Sequence, residues 1–123
     1  LGTTMFSSVL RNPTLMLMFS QTDSVTQSPS QKIIQEGQDV TLDCSFTTSD
    51  SDPYLYWYRQ EVNKAPQMIL HARKDNAKKN RFVSGKFSTV LFLNNKTVPL
   101  TVEGASLQDG AAYYCALSSL VRI

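Results

Sequence analysis

Two cysteines and one tryptophan constrain this chain more than anything else in it. Cys44 and Cys115 lie 71 residues apart, and the lone tryptophan, Trp57, comes soon after the first. Around Cys44, the residues Val40, Leu42, Cys44 and Phe46 alternate with Asp39, Thr41, Asp43 and Ser45. A period of two puts alternate side chains on opposite faces of an extended strand, so Cys44 points to the apolar side. Trp57 belongs to a second such run, in which Leu55, Trp57 and Arg59 share one face while Tyr54, Tyr56, Tyr58 and Gln60 share the other. In Asp109-Gly110-Ala111-Ala112-Tyr113-Tyr114-Cys115, Tyr113 and Cys115 face one way and Tyr114 the other. From the residues alone, either a bridge or two buried free thiols fits this placement. At 123 residues the chain is one domain, and 41% hydrophobic and 10% aromatic residues suit a globular core of modest stability.

Over about residues 23 to 115 the chain resembles the immunoglobulin variable-domain family. The resemblance rests on Cys44, Trp57 and Cys115, on Tyr113 two residues before the second cysteine, and on the acidic Asp109 six before it. Trp57-Tyr58-Arg59-Gln60-Glu61, Lys96-Thr97-Val98-Pro99-Leu100-Thr101 and Cys115-Ala116-Leu117 look most like T-cell receptor alpha or delta variable segments. It implies an all-β fold, a two-sheet antiparallel V-type Greek-key sandwich. In that fold a Cys44–Cys115 disulfide joins the sheets, Trp57 packs on it and Tyr113 makes a corner hydrogen bond. It also implies that Arg81 pairs with Asp109 as a structural ion pair. A bridge persists in an oxidising compartment, so the chain is expected to enter the secretory pathway. By resemblance it stands on the extracellular face of the plasma membrane, with its anchor outside this sequence.

Residues 1 to 22 differ in character from the rest of the chain. Met5 is a candidate initiator, Arg11 the only charge, and Leu15-Met16-Leu17-Met18-Phe19 a short apolar run, so this stretch is expected to be a secretory leader cleaved before Asp23. It is too short to span a bilayer. Residues 23 to 118 are the expected domain, and 119 to 123 a truncated junction or read-through. No Phe-Gly-x-Gly of a joining segment comes after Cys115, so the final strand is expected to be missing and its sheet to lack an edge. Without Arg11 the remaining chain has 11 basic and 10 acidic side chains, a balance that gives no reason to expect nucleic acid. The run Arg73-Lys74, Lys78-Lys79 and Arg81 lacks interleaved aromatics and reads as a solvated loop.

The domain itself alternates strand and turn. Residues 23 to 29 form an edge strand ending at Pro29, with Val25 and Gln27 on one side. A turn lies around Gly37, residues 47 to 53 make a polar loop, and Gln67 to Ala72 make another strand. His71 is the only histidine, so no zinc site can be assembled around it, and a polar edge role is expected. Phe87 to Leu93 is a strand whose apolar end must partly face outward. Asn94-Asn95-Lys96 is a turn, and Asn95-Lys96-Thr97 is a glycosylation acceptor. Val98, Leu100 and Val102 face inward, and Pro99 needs an open edge or a bulge for its missing amide. Leu107 is expected to anchor a short turn before Asp109.

A row of tyrosines on one strand face, joined by Tyr114, reads as a covered surface. By resemblance that surface pairs with a second variable domain, of a beta or gamma chain, through Tyr56, Tyr58, Gln60, Pro66 and Tyr114. Three loops would then meet a peptide bound to a histocompatibility molecule or a related ligand. They are Thr48, Ser49, Asp50, Ser51, Asp52 and Pro53; Arg73, Lys74, Asp75 and Asn76; and Ala116, Leu117 and Ser118. The CD3 signalling subunits would be reached only through segments outside this sequence. The alternative readings are a non-rearranging innate receptor or an antibody light chain. No nucleophile motif and no phosphate-binding glycine loop is present, and Asp50 and Asp52 read as solvated loop carboxylates, so neither catalysis nor a cofactor or metal is expected.

Overall fold

The computed structural model describes the backbone of residues 2–9 and the whole of residues 23–74 and 79–118. Among these, ten strands form two five-stranded sheets. One sheet contains β1 (Gly2–Val9), β3 (Gln31–Gln35), β5 (Tyr54–Gln60), β6 (Gln67–Arg73) and β10 (Ala112–Ser118), in the order β3-β1-β10-β5-β6. The other contains β2 (Ser24–Ser28), β4 (Val40–Thr47), β7 (Arg81–Ser84), β8 (Phe87–Val90) and β9 (Leu100–Val102), in the order β2-β4-β9-β8-β7. Neighbours pair antiparallel except β1 and β10, which run parallel with Phe6 opposite Ala112 and Val9 opposite Cys115. The architecture is the two-sheet immunoglobulin sandwich.

The alternation seen in the sequence becomes the core. In β4, Val40, Leu42, Cys44 and Phe46 are all buried and the intervening residues exposed. Leu55 and Trp57 from β5, Leu100 and Val102 from β9, and Tyr113 and Cys115 from β10 meet them and are fully buried. Cys44 and Cys115 form the disulfide, with Cα atoms 6.4 Å apart, so one covalent bond joins a strand of each sheet. Trp57 stands opposite Cys115 in the β5–β10 register, and its indole Nε1–H donates to the Val98 carbonyl at 2.9 Å. The largest apolar side chain of the core thus has its polar atom satisfied by the facing sheet.

A second, non-covalent tie lies beside the first. Gln27, on edge strand β2, sends its carboxamide into the core, where Nε2 donates to the Tyr113 carbonyl at 3.0 Å and Oε1 accepts from the Cys115 amide at 2.9 Å. Alternation alone puts Gln27 beside Val25 on the inward side but assigns it no partner. Burying a carboxamide is costly unless it is hydrogen-bonded, and here both ends are.

Several sequence expectations are refined. Of the apolar end after β8, Leu91 is buried, while Phe92 and Leu93 are exposed on the turn. Pro99 precedes β9, a central strand rather than an edge one. The β8–β9 pairing ends at Thr89 opposite Leu100, one residue short of Pro99, so the missing amide falls where the ladder stops. The position beyond β10 is not open either, because β1 runs along it from Ala112 to Cys115. Of the expected leader, only the backbone of Gly2–Val9 is described. Residues 10–22 and the expected junction, residues 119–123, lie outside the described residues.

Candidate partner interface and loop end

Strands β5, β6 and β10 carry the tyrosine face. Because side chains alternate, the residues of β5 that do not enter the core, Tyr54, Tyr56, Tyr58 and Gln60, line up on the other side, each half-buried. Tyr114 lies directly opposite Tyr58 in β10, and its hydroxyl donates to Gln60 Oε1 at 3.1 Å. The Tyr56 and Tyr58 rings are 6.2 Å apart between centroids, and Tyr56 stands at the same distance from the His71 imidazole on β6. A register shift between Trp57 and Tyr58 places Met68 opposite Tyr58, where it is 53% exposed. Neither His71, expected only at a polar edge, nor Met68 is marked in the sequence as part of this face. Met68 joins the face only through that irregularity, which no periodicity encodes, whereas His71 stands opposite Tyr56 in the regular part of the pairing. Pro66 is exposed just before β6.

Tyrosines braced by one another and by a hydrogen bond lose little freedom when covered, and their polar tips can be satisfied by a partner. The surface is therefore suited to a second protein domain rather than to a small molecule. Among the described residues, no group of histidine, cysteine and acidic side chains could hold a metal ion. No helix there is long and apolar enough to cross a membrane.

The loop between β4 and β5 lies at the end of the sandwich where β10 finishes, with Tyr54 opposite Ser118. Thr48 and Pro53 are buried and shape this loop from beneath. The Asp50 amide donates to Thr48 Oγ1 at 3.0 Å, and the Asp52 amide to Asp50 Oδ1 at 2.9 Å. Ser49 and Ser51 are exposed, and Asp50 and Asp52 are half-buried. Arg73 and Lys74 are exposed at the end of β6, where Arg73 Nη1 donates to the Tyr54 hydroxyl at 3.0 Å. Asp75 and Asn76 lie outside the described residues. Ala116, Leu117 and Ser118, expected in a loop, are instead the last residues of strand β10: Ala116 stands opposite Tyr56, Leu117 opposite Leu55 and packed against the core, and only Ser118 is exposed, at the same end as the other two predicted segments.

The opposite end is held by Asp109, and here two expectations are corrected. Its carboxylate meets Lys86 Nζ at 2.6 Å, with the Arg59 guanidinium at 4.0 Å, rather than Arg81. Arg81 is exposed at the first position of β7, while the turn that faces Asp109 comes after the last position, where Gly85 at φ 60° carries the chain into Lys86. The Lys86 carbonyl accepts from the Glu103 amide at 2.9 Å, which fixes the base of that side chain. Leu107 opens the predicted turn, a 3-10 turn over Leu107–Asp109, but is 52% exposed. The buried side chain of the turn is Asp109, whose carbonyl accepts the corner hydrogen bond from the Tyr113 hydroxyl at 2.7 Å. Burial pushes that phenol up to about 12, with Asp109 and Glu61 adding to the rise and Arg59 opposing it.

Burial acts to raise the Asp109 carboxyl, but hydrogen bonds from Lys86 and from the Ser106 amide, together with the lysine charge, outweigh it and hold the group below the ordinary aspartate value. A lowered folded value means stability that is present above the unfolded-chain value of about 3.9 and lost as pH falls through the folded one. Unfolding midpoints measured across that acid window should fall for the wild type and change less for Asp109→Asn. Parallel curves would remove Asp109 as the source.

Residues 27–121 match the family model of the immunoglobulin V-set domain. Human T cell receptor alpha variable 38-2/delta variable 8 is 38% identical over 103 residues, 84% of this chain and 87% of the relative. Mouse T-cell receptor alpha chain V region CTL-F3 is 35% identical over 105 residues, 85% of this chain and 76% of the relative. Human T cell receptor alpha chain MC.7.G5 is 38% identical over 106 residues, 86% of this chain but only 38% of that longer protein. Fold, disulfide and relatives agree: the chain belongs to the immunoglobulin V-set family, among the T-cell receptor alpha and delta variable domains.

Proposed function

We propose that this domain is the antigen-recognition variable domain of a T-cell receptor alpha or delta chain, that it pairs through the β5–β6–β10 face with a beta or gamma variable domain, and that its loop end binds peptide on a histocompatibility molecule or a related ligand. The observation that carries the pairing is the tyrosine face itself. Tyr56, Tyr58 and Tyr114 stand half-exposed on one sheet face, with Gln60 held in place by Tyr114. An interface core of this kind is typically rich in tyrosine and poor in charge. Thr48 to Pro53 and Arg73 to Asn76, with the end of β10 from Ala116 to Ser118, supply the ligand side, where the short polar residues of the first loop suit adaptable contacts. The domain works outside the cell, in a setting that keeps Cys44 and Cys115 oxidised.

Tyr58 is the residue to test, because it sits between Tyr56 and Tyr114 at the middle of the face. A charge buried without a partner at the centre of an interface costs several kcal/mol, about 3–5 in buried pairs broken on one side. Tyr58→Asp should therefore abolish co-purification with a beta or gamma variable domain while the isolated domain keeps its unfolding midpoint. Equal recovery of the pair with wild type and variant would remove the face from this role.

A further inference from the structure

We infer that Asn95 carries an N-linked glycan, placed on the sheet opposite the tyrosine face and beside the β4–β5 loop. The inference rests on the extracellular placement proposed for the domain. Asn95-Lys96-Thr97 is the one acceptor triplet in the chain, because the only other asparagine with a hydroxyl residue two positions later, Asn12, has Pro13 between them. The folded domain presents the site rather than burying it. Residues 92 to 96 are exposed, and the turn ends in a bridge where Phe92 and Thr97 exchange hydrogen bonds of 2.9 and 3.1 Å. Lys96 is at φ 57°, a left-handed conformation that closes the turn, and its carbonyl accepts from the Phe46 amide at 2.9 Å. Asn95 thus stands on a short turn that the backbone fixes to the body of the domain.

That place has two consequences. Phe92 and Leu93, at 40% and 36% exposed, lie on the same turn, so a sugar chain rooted at Asn95 covers apolar surface that the fold leaves uncovered. Lys96 Nζ reaches the Thr48 carbonyl at 3.4 Å, and Leu93 and Lys96 share a depression with Thr48, Ser49 and Ser51. The glycan therefore flanks the first ligand loop without lying on it, and β5, β6 and β10, on the other sheet, remain clear for a partner.

The chemistry needs one co-reactant, an oligosaccharide linked through a diphosphate to a polyprenyl lipid. The Asn95 carboxamide nitrogen forms a C–N bond to the anomeric carbon of the first sugar, and the sugar–oxygen bond to the diphosphate breaks. The lipid diphosphate leaves with that electron pair, the amide proton passes to a base of the transferring enzyme, and nothing is oxidised or reduced.

The test is expression of the chain in cultured animal cells, with both secreted protein and cell lysate read by glycosidase digestion and peptide mass spectrometry. Digestion in heavy-oxygen water should leave a labelled aspartate at position 95 and remove the mass of one glycan. Asn95→Gln and Thr97→Ala should each migrate with the digested wild type, and Thr97→Ser should retain the glycan. Because the transfer takes place on the entering chain, lysate reports on it even if a variant folds poorly. A bare Asn95 peptide in molecules whose Cys44–Cys115 bridge has formed overturns the inference, since that bridge shows that the chain entered the oxidising compartment. A bare peptide with both thiols reduced overturns the secretory reading beneath it instead.

Discussion

Reducing the Cys44–Cys115 bridge should lower the unfolding midpoint sharply, the largest loss available from a single bond in this domain. The bond closes a loop of 71 residues, and in the chain-entropy model a loop of that length contributes roughly 4 kcal/mol. At about 4–8 °C per kcal/mol for a domain of this size, the melting temperature should drop by on the order of 20 °C. Thermal or denaturant unfolding with and without reductant measures it. The paired replacement of Cys44 and Cys115 by alanine provides the same comparison without added reagent. An unchanged midpoint would show that the two sheets do not depend on their covalent pin.

Trp57→Ala should be almost as damaging, by a different route. The indole is fully buried between the sheets, and truncating such a side chain costs roughly 3–5 kcal/mol through lost burial and the remaining cavity. It also strands the Val98 carbonyl, which accepts the indole N–H at 2.9 Å. Trp57→Phe separates the two effects, because it keeps most of the bulk and gives up only the hydrogen bond, worth about 1 kcal/mol net. Equal losses for the two variants would show that packing is not what the indole contributes. Because Trp57 stands opposite Cys115, combining Trp57→Ala with loss of the bridge should cost less than the two changes separately.

Both predictions concern features legible in the order of residues alone, and the reason is physical. Inward and outward sets in β4 and β5 arise from a strand period of two, so Cys44, Trp57 and the tyrosine row are fixed by position along the chain. The corner bond from Tyr113 reflects its place two residues before Cys115. What the sequence did not yield depends on where turns bring long side chains. Asp109 meets Lys86 and not Arg81 because the Gly85 turn, rather than the start of β7, reaches that end of the sandwich. Gln27 is visible as an inward residue, but its two partners lie 86 and 88 positions away, at a separation that no local pattern reports. The place of Gly2–Val9 beside β10 is equally invisible, since a short strand carries no mark of the neighbour it will pair with.

The carboxamide of Gln27 has a consequence for motion. It grows from β2, in one sheet, and takes the Cys115 amide, in the other. Amide hydrogens along most strands exchange with solvent when a strand peels from its neighbour. The Cys115 amide is shielded by a side chain from the other sheet, so its exchange requires edge strand β2 to draw Gln27 away from β10. Its rate is thus a gauge of how often β2 leaves its place, an event that the amides of β10 bonded only within their own sheet do not report.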